Sequence, residues 1–261
     1  MAGRGDLPAG GSRLRLLNDG VCPPEATMAG DVALLEAFQR GEIPPTLRVY
    51  QWASPALTYG VNQQLPPRLV DACNALGIPM LRRPTGGKAV LHGHDLTLGL
   101  VFRYESPHSQ ALSPLAKGGE GQGEGGSALR PYPRQVYQFL APALIEAFAQ
   151  VGIPAVQGDA PAPDPRSPDD GGDCFATPAI ADIAHADTGV KLMGCALLVR
   201  GASVLMQASI PLRAPDVPVE RLFGHPHPAP PPIDPDALTD ALYRTLTCVI
   251  QNPANAINAA P

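Results

Sequence analysis

The chain has 261 residues, enough to bury one sizeable core, and its 44% apolar content is that of a globular protein. Its formal charge of -5, from 19 basic and 24 acidic residues, gives a polyphosphate backbone no electrostatic footing and argues against a nucleic-acid partner. Five cysteines without a CxxC pair, and no apolar run near the roughly eighteen residues of a bilayer span, argue against a disulfide framework, a zinc site and a membrane segment, and predict a cytoplasmic protein.

Prolines and glycines are abundant, 32 and 27 of them, which predicts long irregular connections around a single core. Residues 1–12 are Gly, Ala and Pro rich and are expected to be disordered, and LRLLNDG after them reads as a short strand or turn. Met28, Val32, Leu35 and Phe38 recur at helical spacing, predicting a helix over Thr27 to Arg40 that stops at Gly41. Leu47 to Trp52 and Ala56 to Gln63 alternate like strands around Ser54-Pro55 and predict a hairpin, with Trp52 a core residue. A short helix, Arg68 to Leu76, closes at Gly77, and Ile78 to Arg82 returns as a strand.

Ala89 to Leu91 and Leu96 to Arg103 read as further strands. The second is almost continuously apolar and therefore central in its sheet. Segment 106–129 is a Gly and Ser rich insert without periodicity, and 160–172 is a second insert rich in Pro and Asp. Between them a long amphipathic helix is predicted from Arg134 to Gln150. Ala179 to Ala184, Leu192 to Arg200 and Val204 to Pro211 predict an antiparallel meander, and Asp236 to Ile250 a last helix before a tail at 252–261. The fold class is α+β: a mixed, largely antiparallel sheet flanked by helices, here expected on one side, forming one domain over 13–251.

The chemistry concentrates in LRRPTGGKAVL, residues 81 to 91, followed by His92. Gly86 and Gly87 allow positive φ or close approach of a ligand, Arg82 and Arg83 offer cationic forks, and Thr85 and Lys88 add a hydroxyl and an ammonium. On these residues alone the stretch reads either as a cradle for an anion or acyl carbonyl, or as an ordinary glycine turn.

RRPTGGKAVLH resembles the RRxTGG(G/R)AVxH signature of the biotin/lipoate protein ligase superfamily. DCFATPAIADI and GVKLMGCALLVRGASVLMQASI resemble its CFxxPSxx(D/E) and GxK(L/I)xGSAQ blocks, in the same order. Cys174 stands at the place of the nucleophile of the superfamily's octanoyltransferases, and Lys191 at the place of its lysine. The resemblance implies that this lysine lowers the thiol pKa or contacts an acyl carbonyl or adenylate phosphate. It also implies an acyl pocket bordered by Gly60 and Gln63, with His92 ranked above His94, and an acidic helix residue at Asp31. Without the resemblance, Asp31 and Lys191 read as solvated positions. The implied activity is octanoyl transfer from acyl carrier protein to a lysine of a lipoyl domain or glycine-cleavage H-type protein, by a monomer that needs no cofactor. An ATP- and Mg-dependent lipoate ligase, or a non-catalytic acyl- or carrier-binding paralogue, are the alternatives. Two departures bear on the pocket: GSAQ becomes Gly194-Cys195-Ala196-Leu197, with Cys195 read as structural, and a later QHGS-like segment becomes Met206-Gln207-Ala208-Ser209.

Overall fold

A computed structural model describes residues 13–104, 133–160 and 172–252. The sequence readings for 1–12, for 106–129, for most of 160–172 and for all but the first residue of the tail lie outside them. Ten strands form two sheets among the described residues. The larger has the order β1-β2-β6-β10-β9-β8-β7, built from β1 (Arg15–Cys22), β2 (Thr46–Trp52), β6 (Asp95–Arg103), β7 (Ala155–Gln157), β8 (Ile183–His185), β9 (Lys191–Arg200) and β10 (Ser203–Pro211). Only β1 and β2 run parallel in it; its other pairings are antiparallel. The smaller sheet is β4 (Met80–Arg82), β3 (Ala56–Tyr59) and β5 (Val90–His92).

The expected hairpin of Leu47 to Trp52 with Ala56 to Gln63 does not form. β2 pairs with β6 in the large sheet and β3 with β4 and β5 in the small one, so the Ser54-Pro55 turn carries the chain between sheets. Gly93, at φ 112°, returns the chain from β5 to β6 directly against Pro55, where a Cβ would approach the Pro55 Cα to 3.0 Å. The predicted strand at Ala179 also starts late. Asp182 folds back to accept from the Ala179 N–H at 2.7 Å, which turns residues 179–182 and leaves β8 to begin at Ile183.

β6 is central, as its apolar run predicts, and its alternation sorts the two faces of the large sheet. Leu98, Leu100 and Phe102 point to a core shared with α3 (Pro133–Gln150) and α5 (Pro235–Gln251). Val101 instead packs with Leu34 and Leu35 of α1 (Pro24–Gln39) and with Leu205. Helices therefore cover both faces, not one: β6 is buried on both, through its leucines and Phe102 on one side and through Val101 with the polar Asp95 and Thr97 on the other. α1 begins three residues before the predicted Thr27, with Pro24 at its first position, where a missing N–H costs nothing. α2 (Pro67–Leu76) and α4 (Val219–Phe223) close a separate core with the small sheet, around Leu57, Leu69, Cys73, Leu91 and Phe223. Gly77 ends α2 in the left-handed conformation.

The α1 face of the large sheet carries the polar rows that matter below. Register places Arg48, Gly99, Gln207 and Ala196 side by side across β2, β6, β10 and β9, and Tyr50, Thr97 and Ser209 in the row next to it.

Candidate active site

A narrow cavity, partly open to solvent, lies between the α1 face of the large sheet and the small sheet. The large sheet lends it Thr97, Gly194, Ala196, Gln207 and Ser209, and the small sheet Thr58, Val90 and His92. Met28, Arg83, Gly87 and Cys174, with Cys195 and Ala208 of the large sheet, complete its wall.

Cys174 opens a single 3-10 turn, Cys174–Ala176, capped by Asp173, whose Oδ1 accepts from the Phe175 N–H at 2.9 Å. The chain leading into it is strapped to the glycine stretch: the Ala89 N–H donates to the Gly172 carbonyl and the Cys174 N–H to the Ala89 carbonyl, each at 2.8 Å. Lys191, first residue of β9, reaches this turn. Its Nζ lies 2.7 Å from the Cys174 carbonyl, 3.3 Å from Sγ, 2.8 Å from the Asp182 carboxylate and 5.0 Å above the Phe175 ring. Gly194 leaves room for that reach, since a Cβ there would stand 3.0 Å from the lysine Cε.

Burial pushes the Cys174 thiol above its ordinary range, against the opposing pull of Lys191 and Arg83. Burial would also strip the Lys191 ammonium, but the Cys174 sulfur and Asp182 hold it up to about 12. With the thiol protonated at neutral pH, Asp182 is the anion that keeps the lysine charged. The resting pair is thus thiol and ammonium: Lys191 pulls the thiol down, as the resemblance implies, but the desolvation of the half-buried sulfur, which the sequence does not show, outweighs that pull.

The lipoyl protein ligase A/B catalytic-domain model matches residues 23–115. The octanoyltransferase LipM of Symbiobacterium thermophilum is 32% identical over 228 residues, covering 80% of this chain and 73% of that protein. That of Moorella thermoacetica is 34% identical, covering 76% of this chain and 64% of the relative. The chain belongs to the biotin/lipoate protein ligase superfamily. Solved members share the fold: a lipoate-protein ligase A bound with ATP superimposes with a TM-score of 0.61 at 18% identity, covering 95% of this chain and 94% of the other.

The superfamily's glycine stretch is built from within. Gly87 adopts φ 89°, and a Cβ there would meet an Arg83 Nη2 at 2.9 Å; Gly60 passes so close that its Cβ would stand 2.2 Å from the Gly87 carbonyl. Arg83 is buried and donates to the carbonyls of Gly86 and Lys88 and, at 3.3 Å, to Thr58 Oγ1, so its guanidinium fixes the loop. Of the residues predicted around this stretch, Arg83, Gly87 and His92 line the cavity. Arg82 is exposed, donates to the Val61 carbonyl and faces a separate open groove along α1. Thr85 sits behind the cavity wall, donating to Gln207 Oε1 at 2.8 Å. Gly86 and Lys88 serve as backbone acceptors for Arg83, and Gln63 donates to the Gly172 carbonyl at 2.9 Å. These five act on the shape of the site from outside the cavity.

Asp31, Asp95, Asp173 and Asp182 are the buried carboxylates of this site among the described residues. Asp31 is fully buried in α1, over Gly99, where a Cβ would stand only 2.5 Å from its Oδ1; it is neither a ligand nor solvated. Cys195 and Leu197 share the face of β9 turned away from α1; Cys195 still touches the cavity, whereas Leu197, in the Met206 and Leu100 row, does not, so the loss of a polar residue there leaves the cavity wall untouched. Gln207 holds Thr85 and Asp31 together, which gives the MQAS departure a structural role.

His92 is held on three sides: Nδ1 lies 2.7 Å from Asp95 Oδ2, Nε2 lies 2.8 Å from Thr58 Oγ1, and the ring stacks on Trp52 at 4.2 Å. Trp52 is buried, as predicted, with Nε1 donating to Thr97. Burial alone would raise the Asp95 carboxyl, but His92, with the Ser209 hydroxyl and nearby His94, pulls it well below the usual carboxylate range. A carboxyl more acidic in the folded than in the unfolded chain contributes stability that is complete above about pH 4 and is lost as the pH falls through the folded value. Asp95→Asn should therefore melt below the native chain at pH 7, and the gap should narrow progressively below pH 4; equal melting temperatures at pH 7 would deny Asp95 that role.

Proposed function

We propose that the protein transfers an octanoyl group from acyl carrier protein to the lysine of a lipoyl-domain or glycine-cleavage H-type acceptor through a thioester on Cys174. Membership of the superfamily, with curated relatives named octanoyltransferases, supports octanoyl transfer in protein lipoylation. The observation that carries the finer reading is the Lys191 ammonium 3.3 Å from the Cys174 sulfur, at the wall of a cavity that mixes apolar residues (Met28, Val90, Ala196 and Ala208) with polar ones (among them Thr58, His92, Gln207 and Ser209).

In this reading Cys174 gives up its proton as the sulfur attacks the donor thioester carbonyl. A new C–S bond forms, the bond to the carrier breaks, and the departing thiolate takes a proton. Lys191, with Arg83 behind it, stabilises the negative charge while it rests on Cys174, and Asp182 keeps the lysine charged for that purpose. The acceptor amine, neutral when it attacks, then forms the C–N bond; the C–S bond to Cys174 breaks, and the surplus amine proton returns to the sulfur. A thioester donor supplies the driving force for both transfers, so neither step calls for ATP or Mg.

The test is intact-mass spectrometry after incubation with octanoyl-carrier protein. A gain of one octanoyl group on Cys174 without nucleotide, discharged onto an acceptor domain, is expected. Acylation of the acceptor only from free octanoate with ATP and Mg would move the chain to the ligases, and no acylation under either condition would leave a binding protein. Among the described residues no helix is long and apolar enough to cross a membrane.

A further inference from the structure

We infer that His227 is a positioning residue for the nucleophile, acting through Asp173 on the turn that carries Cys174. This rests on the reading of Cys174 as the reacting thiol.

Asp173 is almost fully buried and holds two partners at once. Oδ1 accepts from the Phe175 N–H at 2.9 Å and so closes the Cys174 turn, while Oδ2 lies 2.7 Å from His227 Nε2. A carboxylate only accepts, so the His227 nitrogen facing it carries the proton. His225 Nε2 stands farther off, at 3.3 Å from the same oxygen.

The prop is itself rigid. Pro226 and Pro228 flank His227 and fix φ on either side, and its ring stacks on Phe223 of α4 at 5.6 Å with 16° between planes. The element it supports bears two parts of the site, the Cys174 sulfur and the Phe175 ring under Lys191. Backbone bonds to Ala89 hold the chain up to the Cys174 N–H and Lys191 holds the Cys174 carbonyl; the Phe175 N–H, which closes the turn, is held by the Asp173 side chain. Removing His227 leaves a buried carboxylate oxygen short of its near partner. The carboxylate then turns toward water, gives up the Phe175 N–H, and lets the sulfur drift from Lys191.

The test compares the wild type, His227→Ala and His227→Gln in the full chain by iodoacetamide labelling, mapped by mass spectrometry, and by acyl-enzyme formation. Exposed Cys248 gives an internal reference for the reagent, and fully buried Cys73 reports on the fold. His227→Ala is expected to slow both labelling and acylation at Cys174 about tenfold, the size of one lost buried hydrogen bond, with Cys248 unchanged and Cys73 protected. His227→Gln, whose amide N–H reaches the same oxygen, is expected to recover most of that loss. If the alanine variant opens the fold, Cys73 labels and the glutamine variant decides alone. A wild-type rate at Cys174 in folded His227→Ala, or a folded His227→Gln slowed about tenfold, overturns the inference. Failure of the wild type to acylate at all counts against the proposed reaction instead, since the labelling needs no substrate.

Discussion

Lys191→Ala should move the pH profile of Cys174 alkylation to higher pH and slow acyl-enzyme formation at pH 7 by about tenfold or more, with recovery as the pH is raised. Only the thiolate reacts, so the midpoint of the profile is the thiol's own pKa. Burial already pushes that value up, and Lys191 is the strongest of the groups that oppose it. In the wild type the midpoint is therefore expected above the roughly 8.5 of a free cysteine, and each further unit costs about tenfold in thiolate at neutral pH. Part of the effect in the single variant comes from Asp182, left as an unpaired anion near the sulfur. Lys191→Ala combined with Asp182→Asn removes that contribution and should lie between the single variant and the wild type. Cys174→Ser should end acyl-enzyme formation outright, and with it transfer. Identical midpoints in wild type and Lys191→Ala would deny the lysine its electrostatic role.

The second large effect is expected at Asp31. Its Oδ1 pairs with Arg48 at 2.7 Å, and its Oδ2 accepts from Gln207 at 2.6 Å and from the Tyr50 hydroxyl at 3.1 Å. Burial pushes this carboxyl up even with Arg48 and two hydrogen-bond donors pulling it down. Such a pair adds little net stability when intact, but breaking it leaves a buried guanidinium to the partly exposed Asp19 at 2.7 Å, the Thr27 carbonyl and the Tyr50 ring, with its one fully buried counter-charge gone. Asp31→Ala should cost about 3–5 kcal/mol and lower the melting temperature by about 10 °C. Activity should fall with it, because Gln207, which holds Thr85 and lines the cavity, loses its anchor. Asp31→Leu with Arg48→Met should regain much of the stability without the activity. A single variant that melts within a degree or two of the wild type would show that the ion pair is replaceable by water.

What the sequence conveys and what it hides follow from range. The long helices and the strands from Leu96 and Leu192 onward are legible because one face or both are apolar at a fixed period. Gly77 is legible because a left-handed helix end favours glycine. The hairpin expectation failed because alternation marks a strand without naming its partner. The helix at Val219–Phe223 and the strand at Ala155–Gln157 are too short to show a period. In the site, Cys174, Lys191 and the glycine stretch stand out through resemblance, and Asp31 through its place in it. Asp182, Asp95 and His227 do not, since an aspartate in a turn or a histidine between prolines looks like any surface residue until folding brings its partner to it. HPHP at 225–228 is the one local cue that was available.

The seam between β6 and β10 has a further meaning for the order in which this protein becomes active. The two strands pair over nine residues although residues 104–202 separate them in the chain, and the cavity draws on both sides of that separation. A growing chain thus completes the glycine stretch, His92 and β6 well before the thiol exists. The thiol and its lysine, only 17 residues apart, follow, and the wall beside them is complete only when Gln207 and Ser209 of β10, later still in the chain, join β6. No shorter nascent chain holds a competent site, so an acyl group has nowhere to be loaded until the far side of the sheet has closed.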